Sequence, residues 1–211
     1  MQEFGVEYEW AHDLINIKAQ KYIPKDISVE NDWSSASYWY LMAAFAEEVS
    51  LKLDGLIQNS IQGDAVIIEI FKNFGVKTTF TENGIILTKY KEPVKQFDFD
   101  FSSYPDLVQT IAVCGAGLNI PAKLRELKSL RIKETDRLVA MEQELRKIGC
   151  NVVINDSELI LRPNESNKGL QPLVDKTQGD SLLINTYSDH RMAMAFAPLA
   201  MLFPEIIIND A

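Results

Sequence analysis

The amino-acid sequence predicts an α/β fold of repeated βαβαββ units, with buried helices inside and sheets around them. Two observations lead to this prediction. Three segments of the chain superpose when their glycines are aligned, and very apolar helical runs lie between those segments. The aligned glycines are 70 and 74 residues apart, at Gly5, Gly75 and Gly149. We therefore expect one supersecondary unit to recur about every 70 residues.

Each aligned glycine is expected to end a helix and to lead into a β-hairpin. After the glycine come alternating strand-like residues, a polar turn and a second apolar stretch. The three segments are FGVEYEWAHDLINIKA from Phe4, FGVKTTFTENGIILTK from Phe74 and IGCNVVINDSELILRP from Ile148. Helical patterns lead into the second and third hairpins, and they predict helices over 64–73 and 136–147.

A second class of helix lies between these hairpins. Its three members begin at capping-type residues and are so apolar that we expect them to be largely buried. They are SASYWYLMAAFAEE from Ser35, DLVQTIAVCGAGL from Asp106 and DHRMAMAFAPLAML from Asp189. Short strands are predicted at 49–53, near Leu124 and at 206–208, which completes the order strand, helix, strand, helix, strand, strand.

The composition is that of an ordinary soluble globular protein, with 211 residues, 46% hydrophobic and 24% charged. No apolar run approaches the roughly 20 residues that cross a bilayer, and MQEFGVEYEW has no signal-peptide character. We therefore expect a cytoplasmic protein without a membrane partner. The two cysteines, Cys114 and Cys150, lie in apolar segments and are interpreted as buried thiols, since no metal-ligand set is near them.

The net charge of −9 argues against a nucleic-acid partner, because such binding needs many contacts from Lys and Arg to phosphates. A small anionic substrate can still bind where a few cations converge, since the local field decides binding at a partly buried site. The positions of the cations in the sequence therefore matter more than the net charge.

The stretch LRIKETDR has five charged side chains in eight residues and continues into the helix-patterned run LVAMEQELRKIG. Apolar residues recur at spacings of three and four, at Leu138, Met141, Leu145 and Ile148. Lys133 to Arg137 must then lie in the first helical turn or just before it. Unpaired backbone N–H groups and the positive end of the helix dipole favour an anion there, and Glu134 could exchange a proton.

A second charged helix start occurs in SDHRMAMAFA, where Asp189 is followed by His190 and Arg191. Each cluster alone is more simply explained as helix capping and solvated charge. Two such helix starts in one domain favour a functional site.

Together these two segments resemble the signature regions of the EPSP synthase (3-phosphoshikimate 1-carboxyvinyltransferase) family. Further matches follow the same order as in that family, in NDWSSASYWYLMAA, QNSIQGDAV and YPDLVQTIAV. The resemblance implies an inside-out α/β barrel, one domain of a two-domain enzyme whose full-length members are about twice as long. It assigns residues 1–29 to the end of the opposite, N-terminal domain. Residues 30–211 then form the C-terminal domain without its final segment.

The resemblance implies transfer of the enolpyruvyl group of phosphoenolpyruvate to the 5-hydroxyl of shikimate 3-phosphate, with release of phosphate and without a metal or organic cofactor. By resemblance, Asp106 contacts shikimate 3-phosphate and accepts the proton of the attacking hydroxyl. Lys133 contacts the shikimate part, and Glu134 donates a proton to the methylene carbon of phosphoenolpyruvate. Arg137 and Arg191 are expected to hold the carboxylate and phosphate of phosphoenolpyruvate, a task that suits planar guanidinium groups.

Two residues carry weaker assignments. Ser129 stands where some family members have asparagine, and its hydroxyl is assigned to shikimate 3-phosphate. His190 is assigned a supporting role, and Asp106 and Asp189 are also expected to cap their helices, a contribution of about 1 kcal/mol each. The resemblance implies that the family's other phosphate-binding residues lie in the N-terminal domain in cis, so the 211-residue chain is expected to be inactive alone.

Two alternatives remain open. The related UDP-N-acetylglucosamine enolpyruvyl transferases share the implied fold and chemistry, although their expected cysteine acid and the same charged motifs are not evident in this sequence. A noncatalytic α/β repeat protein could use the charged helix starts only as caps. Replacement of Lys133 and Arg137 by Met in a full-length context distinguishes an enzyme from a structural protein.

Overall fold

The computed structural model describes residues 1–162 and 181–210 and has the mixed α/β architecture that the sequence predicts. The chain divides into two compact units, Met1–Glu30 and Asn31–Ala211. This boundary lies beside the one expected after residue 29. The assignment of the first unit to an opposite domain stays a prediction.

The first unit contains the first predicted hairpin. A short 3-10 helix, Gln2–Phe4, ends at Gly5, whose φ of 67° lies in the left-handed region that favours glycine. Strands β1 (Glu9–Ala11) and β2 (Leu14–Asn16) then pair antiparallel.

The second unit contains five helices and nine strands among its described residues. They are α1 (Trp33–Phe45), β3 (Ser50–Asp54), α2 (Ile67–Lys72), β4 (Val76–Thr81), β5 (Gly84–Lys89), β6 (Phe97–Asp100), α3 (Val108–Gly117), β7 (Ala122–Arg125), α4 (Arg137–Lys147), β8 (Asn151–Ile154), β9 (Leu159–Arg162), β10 (Leu182–Asn185), α5 (His190–Phe196) and β11 (Ile206–Asn209). The run from β6 to β9 is one complete βαβαββ unit, which confirms the predicted order. Strands β6 and β10 were not located from the sequence pattern.

These strands form three separate sheets. The first has the order β3-β5-β4 and is antiparallel throughout. In the second, of order β6-β7-β9-β8, only β6 and β7 run parallel. The third is the parallel pair β10-β11. Hairpins β4-β5 and β8-β9 follow Gly75 and Gly149, both with φ of 79°, as predicted. Pro163, the last residue of the third aligned segment, lies outside the described residues.

The apolar helices α1 and α3 lie in the interior, as expected. Near their starts, the buried hydroxyls of Ser37 and Thr110 are 2.9 Å apart. Near their ends, a Cβ added at Gly117 would lie 2.5 Å from the ring of Phe45. Because start meets start and end meets end, the two helices run parallel.

The structure corrects several expected helix boundaries: α3 begins at Val108 instead of Asp106, α1 ends at Phe45 instead of residue 48, and three others are as follows. Helix α1 begins at Trp33 instead of Ser35, because Asp32 Oδ1 accepts a hydrogen bond from Ser34 N at 2.9 Å and so caps the helix two residues earlier. The α-helix expected from residue 64 begins at Ile67, after a 3-10 turn at Gly63–Val66. The helix expected to run from Asp189 to residue 202 ends at Phe196 and continues as 3-10 helix Ala197–Met201, since proline at 198 removes a backbone donor.

Within the described residues, no helix has both the length and the apolar character to cross a membrane. Cys114 and Cys150 are buried free thiols, as expected. Burial raises the pKa of Cys150 to about 11, which keeps this thiol protonated near neutral pH.

Candidate functional site

Helix α4 directs Arg137 towards the interior. Its expected apolar face is fully buried, at Leu138, Met141, Leu145 and Ile148, and this fixes the rotation of the helix. Asp136 caps the helix by accepting from Val139 N at 3.1 Å. Arg131 donates to Asp136 Oδ2 at 3.0 Å and to the carbonyl of Asn155 at 2.7 Å. Of the charged cluster before α4, Arg131 and Asp136 therefore hold the helix start in place.

The guanidinium of Arg137 is almost completely buried, with 1% of its side chain exposed, and it contacts three carboxylates. Nε donates to Asp189 Oδ2 at 2.7 Å, and Nη2 lies 3.4 Å from Asp189 Oδ1. Nη2 also donates to Glu134 Oε2 at 2.6 Å, and Nη1 donates to Asp106 Oδ1 at 3.3 Å. Since a guanidinium has five N–H donors, most of them are engaged within the protein.

Asp106 is the point where the cations meet. Its Oδ2 accepts from Arg191 Nη2 at 2.9 Å, and its Oδ1 lies 4.0 Å from Lys133 Nζ as well as near Arg137. Asp106 lies in the 3-10 turn Pro105–Leu107 before α3, and no side-chain hydrogen bond caps that turn or the helix. The expected capping role of Asp106 is therefore wrong, because its carboxylate points to these cations.

Asp189 is fully buried and has two functions. It caps α5, because its Oδ1 accepts from Arg191 N at 2.9 Å, as expected. Its Oδ2 also binds Arg137. The second contact was not foreseen, because the sequence does not show that residues 137 and 189 meet. The two charged helix starts are thus joined through one carboxylate.

The structure brings together the five residues with the strongest assignments: Asp106, Lys133, Glu134, Arg137 and Arg191. Lys133 and Glu134 remain partly open to solvent. With Asp189, the cluster holds three cations and three carboxylates, so its formal charges cancel. A substrate anion that binds here therefore meets no surplus positive charge from these six side chains.

Ser129 and His190 are not brought into this cluster. Ser129 is half-buried in the 3-10 helix Lys128–Ile132, and His190 is exposed at the first position of α5. In the described parts of the chain, neither side chain forms a hydrogen bond or ion pair with the cluster. The exposure of His190 also excludes the packed structural role that a histidine often has.

Two residues near the cluster were not assigned from the sequence. Asp64 accepts a hydrogen bond from the Ser34 hydroxyl. Burial raises the pKa of the Asp64 carboxyl, the Ser34 hydrogen bond opposes this effect, and the negative charge of Asp106 adds to it. Tyr38 on α1 is buried beside Arg191; burial raises the pKa of Tyr38, and the guanidinium partly offsets this. Both lie in segments that resemble the EPSP synthase family, SSASY and QGD. This resemblance was the only sequence signal that could have identified them.

Within the described residues, no group of three or more His, Cys, Asp or Glu side chains is arranged to hold a metal ion. The cluster instead combines carboxylates that could exchange protons with cations that could bind oxyanions.

A family model described as EPSP synthase (3-phosphoshikimate 1-carboxyvinyltransferase) matches residues 1–211. Curated relatives named 3-phosphoshikimate 1-carboxyvinyltransferase include one from Bacteroides fragilis, 40% identical over 211 residues, and one from Neisseria meningitidis serogroup C, 34% identical over 214 residues. The matches cover 100% of this chain but 49% and 47% of those relatives. The chain therefore spans about half the length of the curated relatives that it matches.

Solved structures show the same fold. EPSP synthase from Acinetobacter baumannii superposes with a TM-score of 0.72 at 21% identity, over 99% of this chain and 48% of that one. The enolpyruvyl transferase NikO from Streptomyces tendae has a TM-score of 0.64 at 16% identity, over 99% of this chain and 46% of that one. These similarities confirm the predicted enolpyruvyl transferase-like α/β fold.

Proposed function

Because the chain belongs to the EPSP synthase family, we propose that it supplies one side of a cleft that transfers the enolpyruvyl group of phosphoenolpyruvate to the 5-hydroxyl of shikimate 3-phosphate. The observation that carries this proposal is the convergence of Asp106, Lys133, Glu134, Arg137 and Arg191 from three helix starts onto one network. The partners are the two anionic substrates and the opposite domain in cis. A cytoplasmic location is part of the same proposal.

The first step is addition. The 5-hydroxyl oxygen forms a bond to C2 of phosphoenolpyruvate while Asp106 accepts the hydroxyl proton. Glu134 donates a proton to the methylene carbon, and the result is a tetrahedral intermediate. The partial exposure of Glu134 suits a group that must reach a substrate, and the carboxylate of Asp106 has lone pairs beyond those that its cations use.

The second step is elimination. The C2–O bond to phosphate breaks, the phosphate leaves with the bonding electrons, and the new methyl carbon returns one proton to a base. Arg191 and Lys133 are the more accessible cations of the network, with 17% and 33% of their side chains exposed. We assign Arg191 to phosphoenolpyruvate and Lys133 to the shikimate part. Arg137, which is buried, is assigned to stabilise the phosphoenolpyruvate anion from the interior side of the network.

Ser129 and His190 keep their assignments, to shikimate 3-phosphate and to a supporting role, as weaker parts of the proposal. Their side chains do not bond to the network among the described residues, so substrate or the opposite domain would have to reach them. Asp64 and Tyr38 join the proposed site, since they lie next to Asp106 and Arg191.

The 211-residue chain alone is proposed to be inactive. The charges of its cluster cancel, whereas both substrates are anions, so additional cations must come from elsewhere. An open half of a cleft also cannot hold two substrates in reacting geometry, and proximity can account for roughly 7 to 11 kcal/mol of a barrier. Phosphate release by the isolated chain that depends on both substrates would contradict this point.

The test uses a complemented enzyme, in which the chain is joined to the parts of the Bacteroides fragilis relative that lie outside the matched 49%. Phosphate release is measured with both substrates. Asp106→Asn and Glu134→Gln are each expected to lower kcat by about 100-fold or more, as for loss of a general acid or base. Asp98→Asn and Glu158→Gln are the matched controls, since they change ion pairs of the β6-β7-β9-β8 sheet and of its β8-β9 turn, away from the cluster. If all four variants lose activity equally, the assigned roles are wrong.

Lys133→Met and Arg137→Met in the same enzyme separate catalysis from a purely structural role. An enzyme with the proposed site loses turnover with the Lys133 variant while it folds normally, because Lys133 is half-exposed. A noncatalytic repeat protein would show only a change in stability, and mainly with the buried Arg137.

A further inference from the structure

Glu144 on α4 is a buried carboxylate that the proposed chemistry does not use. Its side chain is 0% exposed. It lies seven residues after Arg137, which is two helical turns further along the same face. Glu144 Oε2 accepts from Lys147 Nζ at 2.6 Å and from Asn185 N at 3.1 Å, and Oε1 accepts from Tyr187 Oη at 2.6 Å. A fully buried charge persists only with such compensation, so its contacts define its function.

Two of these contacts hold the end of β10 and the segment that joins β10 to α5. In this segment Tyr187 and Ser188 have φ of 58° and 55°, a left-handed conformation that two successive non-glycine residues rarely adopt. The Ser188 hydroxyl donates to Asp210 Oδ2 at 3.0 Å, and the Thr186 hydroxyl donates to the carbonyl of Asp210. Strained backbone of this kind needs firm support and is often found at functional sites.

The contact between Tyr187 and Glu144 is a strong part of that support. The Tyr187 hydroxyl has one proton and two acceptors, Gln143 Oε1 at 2.7 Å and Glu144 Oε1 at 2.6 Å. A charged acceptor makes the stronger hydrogen bond. Burial raises the pKa of Tyr187, and the Glu144 carboxylate raises it further, so the hydroxyl stays protonated and remains a donor.

Helix α4 thus contacts the region from the end of β10 to the start of α5 at two points of opposite charge. Arg137 binds Asp189, and Glu144 binds the backbone N–H of Asn185 and the hydroxyl of Tyr187. The two points are about 10 Å apart along the helix, at 1.5 Å per residue. Together with the bonds from Thr186 and Ser188 to Asp210, these two attachments hold the region in one position and orientation.

We propose that Glu144 is a positioning residue: it holds the strained segment after β10 against α4, so that Asp189 stays aligned with Arg137 and Arg191 with Asp106. The geometric part of this inference needs no substrate. Its meaning for catalysis rests on the proposed function, because Arg137 and Arg191 are the cations assigned to phosphoenolpyruvate.

The geometric part is tested by NMR on the 211-residue chain, through solvent exchange of the Arg137 Nε–H proton that is bonded to Asp189. Glu144→Ala is expected to accelerate this exchange by about tenfold or more, because the segment opens locally without global unfolding. Tyr187→Phe removes one of the contacts and is expected to give a smaller acceleration. Leu145→Ala is the matched control, since it opens a cavity on the same helix beside Glu144.

Rates are compared at denaturant concentrations that give all variants the same global stability. If Leu145→Ala accelerates the exchange as much as Glu144→Ala, or if Glu144→Ala leaves it unchanged, the inference is overturned. Should Glu144→Ala fail to fold, Glu144→Gln decides together with Tyr187→Phe. The amide oxygen can still accept from Tyr187, but the amide nitrogen is a donor and opposes the Asn185 N–H, so both variants are expected to exchange faster than the wild type. No acceleration in either variant would overturn the inference.

The catalytic part is tested in the complemented enzyme. Glu144→Ala is expected to raise KM for phosphoenolpyruvate about tenfold with a smaller change in KM for shikimate 3-phosphate, because the displaced cations serve the former. Faster exchange with an unchanged KM for phosphoenolpyruvate would overturn the positioning role. If the wild-type complemented enzyme shows no turnover, the proposed function fails, and the exchange measurement still decides the geometric part.

Discussion

Two ion pairs of this protein have the same shortest distance in opposite surroundings. Arg137 Nε lies 2.7 Å from Asp189 Oδ2, and Arg125 Nε lies 2.7 Å from Asp98 Oδ1. The side chains of the first pair are 1% and 0% exposed. Those of the second pair, on the β6-β7-β9-β8 sheet, are 38% and 58% exposed. Distance alone would rank them as equal. Burial makes their expected energetic and functional consequences very different.

The difference arises from solvation. Water competes for the outer pair and screens it, so such pairs contribute about 0 to 1 kcal/mol. For the inner pair, both charges were removed from water, and the loss of one partner leaves the other buried and uncompensated. The inner pair is therefore weak evidence for high stability and strong evidence for a defined arrangement of the helix starts.

The largest expected effect comes from removal of one inner carboxylate. Asp189→Ala should lower the free energy of unfolding of the chain by about 3 to 5 kcal/mol, since the buried Arg137 loses its main partner and α5 loses its cap. Asp98→Ala is the matched variant and should cost no more than about 1 kcal/mol. Urea denaturation measures both. Equal losses would show that burial does not distinguish the two pairs.

A double-mutant cycle sharpens the comparison. Arg137→Met, Asp189→Leu and their combination should give a coupling energy of about 2 kcal/mol or more, because the double variant leaves neither charge of the pair behind. The same cycle with Arg125→Met and Asp98→Leu should give less than about 1 kcal/mol. A coupling energy as small for the inner pair as for the outer pair would speak against a direct interaction between Arg137 and Asp189.

A smaller effect is expected from salt. An increase of NaCl from about 0.05 M to about 1 M shortens the Debye length to roughly 3 Å and should remove most of the coupling between Arg125 and Asp98. The coupling between Arg137 and Asp189 should change little, because ions do not reach a pair that is this deeply buried. The two cycles are repeated at both salt concentrations, and a parallel decline of both couplings would contradict this expectation.

The smallest effect concerns the pH dependence of stability. It is expected to have opposite signs for Asp64, near the charged cluster, and for Asp100, at the end of β6. Burial raises the pKa of Asp64, so the folded state holds this proton more tightly than the unfolded state, and stability falls as pH rises through the interval above the ordinary aspartate pKa. Hydrogen bonds from Ser102 lower the pKa of Asp100, so its contribution is present above that value and is lost as pH falls.

The pH prediction is checked with Asp64→Asn and Asp100→Asn. Relative to the wild type, the Asp64 variant should gain stability as pH rises from acid towards neutral, and the Asp100 variant should lose it. Unfolding by urea at a series of pH values measures both differences. The same sign for both variants would refute the opposite pKa directions.

Much of the fold follows from local sequence. The three hairpins were predictable, because a glycine with positive φ followed by alternating residues is a local signal, as at Gly75 and Gly149. The α4 face was predictable from its apolar spacing. Strand β6 was missed because FDFD alternates over only four residues. The end of α5 was missed because the apolar pattern continues through Pro198, although the ring stops the α-helical hydrogen bonds.

The candidate site could be predicted only in part. Its residues were identified from charge placed at helix starts and from the family resemblance. The partners of Arg137 could not be identified, because Asp106 and Asp189 are 31 and 52 residues away from Arg137 in the chain, and only tertiary packing brings them together. Asp106 was misinterpreted as a cap for the same reason: an aspartate before a helix has two possible partners, and local sequence does not choose between them.

The contact of Gly117 with Phe45, at the ends of the parallel helices α1 and α3, has a consequence for how closely these helices can pack. Gly117 lies about 15 Å from the start of α3, at 1.5 Å for each of ten residues, where it approaches the last residue of α1. A methyl group at Gly117 would meet the Phe45 ring and approach Leu202, so those side chains or the helices would have to shift there. The close packing of α1 and α3 at this end therefore tolerates nothing larger than glycine at position 117 without a local shift.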